Sequence, residues 1–357
     1  MLRIGLLTSG GDCQGLNAAM RGVAKALYEA FDEVEIHGIL DGYRGLIQDR
    51  IRLMKPEDFS GILTLGGTIL GTSRCPFKLM RVIGEDGVDK VEAMKNTIKK
   101  RKLDCLVILG GNGTHKTANL LRAEGVNVVT LPKTIDNDLW GTDMTFGFQS
   151  AVDIAANVID CIHTTATSHG RVFIVEVMGH KVGWLTLHAG IAAGADIVLL
   201  PEIPYDIEKV GSAIERRRKQ GKPFSILAVA EGALSKREAK MSKKELAATR
   251  QKEGLPSIAY RLVQELEPYV GGESRVCVPG HFQRGGAPCA YDRMLATMLG
   301  AAAARLIREG KYGYMCAIVN NEIVPVPLEE VAGKLKKVPP ACTAVQMARE
   351  IGVSFGD

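Results

Sequence analysis

Hydrophobic and polar positions along the first 150 residues follow one repeating pattern: a short apolar run, a glycine-rich turn, then a stretch whose apolar residues recur with a helical period. Residues 3–8 (RIGLLT) lead into SGGDCQGLNAAMRGVAKAL, and residues 105–109 (CLVIL) lead into GGNGTHKTANLL. A third apolar run, GILTLGGTILGTSR at 61–74, also ends in a glycine loop. Strand followed by helix, repeated, predicts an α/β fold with a parallel sheet covered by helices, and in such sheets ligands gather at the carboxyl ends of the strands. The three glycine loops are therefore expected on one rim. No solenoid period is present.

From residue 149 to 165 the set Val152, Ala155, Val158, Ile159 and Ile162 predicts a helix, and RVFIVEV at 171–177 predicts a buried strand. The alternation continues through ADIVLLPE, a charged helix over 208–219 and the strand FSILAVAEG, which marks a second α/β domain. No Pro- or Ser-rich linker separates the two, so a short hinge near 141–147 is expected. The chain length of 357 residues agrees with two domains at about 150 residues each.

Charge narrows the classes of partner. The net charge is +5, and the segment 236–252 alone, with seven bases and two acids, accounts for all of it. That segment has no aromatic residue, so it reads as a solvated helical insertion, and a nucleic-acid footprint is excluded. The eight cysteines are scattered, with no CxxC pair, which points to reduced thiols in the cytoplasm. No stretch approaches the ~20 apolar residues of a membrane span, and the run after Met1 is too short for a signal peptide. No membrane association or export is expected.

Candidate chemistry sits in the loops. Thr8, Ser9, Gly10, Gly11 and Asp12 lie between a strand and a helix, where free backbone N–H groups and the helix dipole favour an anion. Gly110, Gly111, Asn112, Gly113 and Thr114 repeat the arrangement. Lys116 stands where a dinucleotide fingerprint needs its third glycine, which argues against a dehydrogenase. The segment from Pro132 to Asp138 (PKTIDND) places two carboxylates, a hydroxyl and a cation within seven residues; it serves acid–base or metal chemistry, or it is a polar turn with Asx capping. Arg74, Arg171, Arg275, His281 and Arg284 add cations of the kind that bind phosphate oxygens.

Taken in order, TSGGD, GGTILGTSR, the GG-x-G-T loop, PKTIDND, SHGRVFIVEVMG and GHFQRGG resemble the motifs of the phosphofructokinases, from about residue 2 to residue 300. The resemblance implies two similar domains with mostly parallel sheets flanked by helices and an active site in the cleft between them. The donor domain is expected at 1–147 with a return segment near 283–330. The sugar-phosphate domain is expected at 148–282 with the C-terminal 331–357. The implied reaction moves the γ-phosphoryl of ATP to the 1-hydroxyl of fructose 6-phosphate, giving fructose 1,6-bisphosphate in glycolysis, with Mg2+.

By the same resemblance Asp136 is the general base, Arg74 stabilises the transferring phosphoryl, and Thr134 and Ile135 share the substrate loop. Gly11, Arg74, Cys75, Lys133 and the loop from Gly110 to Thr114 resemble the donor set. Met178, Gly179, His180, Glu231, His281, Phe282, Gln283 and Arg284 resemble the sugar-phosphate set. Arg171 and Arg275 are expected to complete a neighbour's site, which implies a homodimer or homotetramer. Arg21 and Lys25 fall where effector-binding cations occur in regulated relatives.

Three departures stand out. Asn112 replaces a magnesium-linked Asp, which shifts metal binding toward phosphate oxygens, water and Asp138. His180 replaces an Arg and removes a permanent charge. Gly113 accompanies Lys133, whereas pyrophosphate users tend to pair Asp with Lys and many ATP users carry Gly at both places. An open Gly113 leaves room for the α-phosphate, which favours ATP over pyrophosphate as donor. A catalytically weak regulatory member is the remaining alternative.

Overall fold

The computed structural model describes residues 1–83, 87–271 and 273–357. They divide into two units, the first comprising residues 1–150 and 284–336, the second residues 151–283 and 337–357.

The strands, in chain order, are β1 (Leu2–Ser9), β2 (Val34–Ile39), β3 (Ile51–Met54), β4 (Cys105–Gly110), β5 (Val128–Pro132), β6 (Val172–Val177), β7 (Ile197–Leu199), β8 (Ser225–Ala230), β9 (Ser274–Cys277), β10 (Tyr314–Val319) and β11 (Glu322–Pro327). The first unit holds one sheet in the order β11-β10-β5-β4-β1-β2-β3. Its interior pairs are parallel, and β3 and β11 add antiparallel edges. The second unit holds a smaller sheet, β7-β8-β6-β9, parallel throughout.

β4, β5, β6 and β8 are buried at every position, because helices cover both faces of a parallel sheet and leave no polar face to alternate with. Ile4, Leu6, Val107, Leu109, Val129 and Leu131 line one core of the first unit, and Leu7, Leu106, Ile108 and Val128 the other. Full burial of each such side chain contributes about 1.5–3 kcal/mol. Helix Leu16–Ala30 crosses helix Ala290–Arg308 so closely that a Cβ on Gly22 would lie 2.7 Å from the Thr297 carbonyl oxygen. A Cβ on Gly300 would lie 2.5 Å from that of Ala19.

Two expectations need correction. The apolar run at 61–74 forms no strand: Gly67 and Gly71 adopt positive φ, and the Asn17 amide takes the Leu65 and Gly66 carbonyls at 3.0 and 3.2 Å in place of a ladder. Residues 141–147, expected as a hinge, lie within the first unit, and the chain passes to the second unit inside the continuous helix Phe148–His169.

Within the basic segment, helix Lys243–Glu253 buries no residue, as a solvated insertion should. Glu238 is the exception: it turns inward and accepts from Ser235 N at 3.0 Å, from Arg250 Nε at 3.1 Å and from buried Arg261. Burial works to raise its pKa, but these donors outweigh it and hold the carboxyl below the ordinary glutamate range. A depressed folded-state pKa contributes stability above the unfolded value and loses it as pH falls through the folded one. Glu238→Ala is expected to cost about 3 kcal/mol at neutral pH, since Arg261 is left buried beside a lost partner. Urea melts at neutral pH and at pH below the glutamate range check this: the gap between wild type and variant should close in acid, and equal midpoints at neutral pH would contradict it.

Candidate active site

The register of the first sheet decides where the loops meet. Ser9 lies opposite Gly110, and Gly110 opposite Pro132, so β1, β4 and β5 end side by side. The segments 10–12, 111–114 and 133–138 leave from that shared edge. The third glycine loop joins them through hydroxyls: Thr8 Oγ1 donates to the Gly71 carbonyl at 2.8 Å, and Thr72 Oγ1 to that of Gly10 at 2.7 Å. Gly10 N returns a bond to Ser73 O at 3.1 Å. All three glycine loops therefore sit on one rim, with exposed Arg74 and half-buried Cys75 following directly.

Helix Asn112–Ala123 starts on this rim and aims its first backbone N–H groups outward, a ready anion site. A Cβ on Gly113 would meet nothing within 4 Å, so the space expected for a phosphate is open. Behind the rim stands a buried layer. His115 Nδ1 donates to the Gly111 carbonyl at 2.9 Å, and burial lowers its pKa to about 4, so the ring is neutral at physiological pH. Lys133 is buried, its Nζ donates to the Gly11 carbonyl, and burial lowers its pKa. That bond braces the loop from behind and leaves two of the three ammonium N–H groups for a ligand. Burial also pushes the Cys13 thiol up to about 12, so it is inert.

The acidic loop is held rigidly. Asp136 N donates to Thr134 Oγ1 at 3.0 Å, and Thr145 Oγ1 donates to the Thr134 carbonyl at 2.8 Å. Ile135 is buried beneath, while Asp136 and Asp138 are half-buried. Asn137 adopts a φ of 51° between them; its Oδ1 accepts from Thr145 N at 3.1 Å and its Nδ2 donates to the Asp143 carbonyl at 3.2 Å. Lys336 Nζ also donates to Asn137 Oδ1, at 2.9 Å, and burial lowers its pKa to about 8. Lys336 and Thr145 were not among the candidates, and no local pattern marks them.

In the second unit Val177 lies opposite Ala230, which brings the loops after β6 and β8 together. His180 N donates to Glu231 Oε1 at 2.6 Å, and Met178 N to Gln283 Oε1 at 3.3 Å. Gly179 at φ 144° and His180 at φ 51° form a turn so close that a Cβ on Gly232 would lie 2.2 Å from the His180 carbonyl oxygen. His281 and Phe282 are exposed on the short turn Gly280–Arg284, where Gln283 is buried. Arg171 pairs with Glu273 at 2.9 Å, and Arg275 pairs with the same carboxylate. Arg284 falls in the first unit, where its guanidinium donates to the Asp12 carbonyl at 2.9 Å and packs on Gly11.

A rim of backbone amides and cations beside a rigidly held carboxylate defines a phosphoryl-handling site on a parallel α/β sheet. Residues 3–307 match the profile of the phosphofructokinase family. The chain is 56% identical over 356 residues to an ATP-dependent 6-phosphofructokinase of Spirochaeta thermophila, covering 99% of this chain and 97% of that one. It is 47% identical to one of Propionibacterium freudenreichii subsp. shermanii, covering 100% of both. Among solved structures, a Pichia pastoris phosphofructokinase in the T-state matches at 34% identity and TM-score 0.78, over 92% of this chain but 35% of that one. The chain thus spans about a third of that yeast protein. A pyrophosphate-dependent phosphofructokinase from Nitrosospira multiformis matches at TM-score 0.82 and 20% identity, over 98% and 90% of the two chains, a likeness of fold alone. The chain belongs to the phosphofructokinase family.

Proposed function

We propose that the chain transfers the γ-phosphoryl of ATP to the 1-hydroxyl of fructose 6-phosphate, as an ATP-dependent 6-phosphofructokinase. The observation that carries this is the register Ser9–Gly110–Pro132, which sets two amide-lined phosphate loops beside the loop of Asp136. Asp136 accepts the proton of the attacking hydroxyl. Arg74, beside the rim and with no ion pair to another described residue, neutralises charge on the transferring group. Gly113 supports ATP as the donor: its open space accepts an α-phosphate. Lys133 does not decide between the donors: its ammonium donates one N–H to the Gly11 carbonyl and keeps two for a phosphate of either.

The sheet of the first unit carries the donor. The loops of Met178, Gly179, His180, Glu231 and Gln283 in the second bind the sugar phosphate, and Arg171 and Arg275 serve a neighbouring subunit of a homo-oligomer. Eight free thiols suit the cytosol. Among the described residues no helix is long and apolar enough to cross a membrane.

A bound magnesium ion would supply charge neutralisation on the phosphate oxygens. Among the described residues no group of three or more His, Cys, Asp or Glu could hold a metal. That fits an ion that keeps several waters and takes one or two protein ligands together with substrate phosphates. Asp138, half-buried in the acidic loop, is the carboxylate we assign to it. Asn112 donates an amide N–H to the Lys334 carbonyl at 2.5 Å, and its amide oxygen is the second protein ligand we assign.

Initial rates on fructose 6-phosphate with Mg2+, supplied separately with ATP and with pyrophosphate, test the reading. Turnover with ATP is expected. Turnover with pyrophosphate alone would overturn the donor assignment, and turnover with neither would leave a regulatory sugar-phosphate binder.

A further inference from the structure

The geometry points to residues 333–336 as a strap that positions the two reaction loops, with Asn112 as its latch on the donor loop and Lys336 as its anchor on the loop of Asp136. This rests on the phosphotransferase reading above. The strap lies beyond residue 307, where the match to the family profile ends.

Six contacts build it. Asn112 Nδ2 donates to the Lys334 carbonyl at 2.5 Å. A carbonyl only accepts, so the amide orientation is dictated by chemistry. Leu335 forms an antiparallel bridge with Leu139, and Lys336 N donates to the Asp138 carbonyl at 2.8 Å. Lys336 Nζ spends its three N–H groups on Asn137 Oδ1 at 2.9 Å, the Thr142 carbonyl at 2.8 Å and the Asp143 carbonyl at 2.9 Å. Upstream, Gly333 at φ 87° passes so near Lys116 that a Cβ there would lie 3.4 Å from its Cε.

The consequence is a continuous chain of bonds to the general base. Lys336 holds Asn137, Asn137 holds Thr145 N, Thr145 Oγ1 holds the Thr134 carbonyl, and Thr134 Oγ1 holds Asp136 N. At the other end the strap grips the first residue of the helix whose N-terminus faces the donor. It therefore sets the spacing between Asp136 and the donor phosphates. Asn112 also acquires a reason: a carboxylate at 112 could not donate to Lys334 and would set two acceptors face to face. Lys336 is a positioning residue, since it reaches Asp136 only through others.

The test pairs Lys336→Met with Asn112→Asp in the full-length enzyme. Steady-state kinetics should show kcat falling about 10²-fold for Lys336→Met, the cost of roughly an ångström of misplacement, with KM for both substrates within about twofold. Asn112→Asp should lower kcat about tenfold. Hydrogen exchange without substrates reads the strap independently of activity: amides 137–145 and 333–338 should exchange about tenfold faster in both variants, with those of helix Leu16–Ala30 unchanged. Unchanged exchange at 137–145, or kcat within about twofold of wild type in both variants, would overturn the proposal. So would Asn112→Asp lowering the Mg2+ needed for half-maximal rate while leaving exchange alone, because Asn112 would then be a metal ligand and no latch. If Lys336→Met does not fold, Asn112→Asp, at a half-exposed position, carries the test alone. A wild-type enzyme without turnover would defeat the phosphotransferase reading, and the exchange result would still decide the strap.

Discussion

Replacing Asp136 by Asn is expected to lower kcat by about 10³-fold while fructose 6-phosphate still binds within about twofold of wild type. Asn is nearly isosteric, and the loop is held by backbone and hydroxyl contacts that the substitution does not touch: Asp136 N to Thr134 Oγ1, and Thr145 Oγ1 to the Thr134 carbonyl. What disappears is the proton acceptor we propose. Phosphoryl transfer has a loose transition state in which positioning and charge neutralisation do most of the catalysis, so a residual rate should survive. Initial rates beside calorimetric binding of the sugar phosphate check both halves. A rate within about tenfold of wild type would place the base elsewhere.

Gly113→Asp is expected to raise KM for ATP by about 10²-fold or more, the effect of a like charge set against a phosphate. The position lets folding and binding be separated. Gly113 is the second residue of helix Asn112–Ala123, its φ is not positive, and a Cβ there meets nothing within 4 Å. An Asp in a first turn faces the positive end of the helix dipole and should stabilise by about 0.3–1 kcal/mol. Thermal unfolding should therefore stay level or rise while ATP turnover collapses. If KM for ATP does not move, the α-phosphate does not lie over Gly113, and the steric account of donor choice fails.

The elements most legible in the sequence were those whose signal is local. β1, β4, β6 and β8 read directly as apolar runs closed by glycine or by a charged residue, because strands buried on both faces leave no polar alternation. Helix Phe148–His169 showed itself through Val152, Ala155 and Ile159, all of them buried. The run at 61–74 misled for the same reason that the others succeeded. Its composition is that of a strand, but its backbone partners come from the Asn17 side chain, nearly 50 residues upstream. β11, with prolines at 325 and 327, carries no strong strand pattern and exists as an edge because β10 pairs with it.

Within the site the same division holds. Thr134, Asp136, Asn137 and Gly113 could be found from their motifs, because residue type and spacing suffice to mark a phosphate loop beside a carboxylate. Lys133 and Arg284 were visible as cations, but what each charge does was not: one braces Gly11 from a buried layer, and the other packs on the same loop from the return segment. Lys336 had no signal at all. It meets Asn137 across 199 residues, and Asn112 meets Lys334 across 222.

The sequence by itself determined the βα alternation, the glycine loops and the acidic loop in which we propose the general base, since backbone geometry and residue chemistry are local properties. Only the tertiary structure decided that Ser9, Gly110 and Pro132 end in register and that a remote strap holds Asp138 and Asn112. Hydrogen bonds between distant segments depend on how the sheet is assembled, and no pattern of neighbouring residues encodes them.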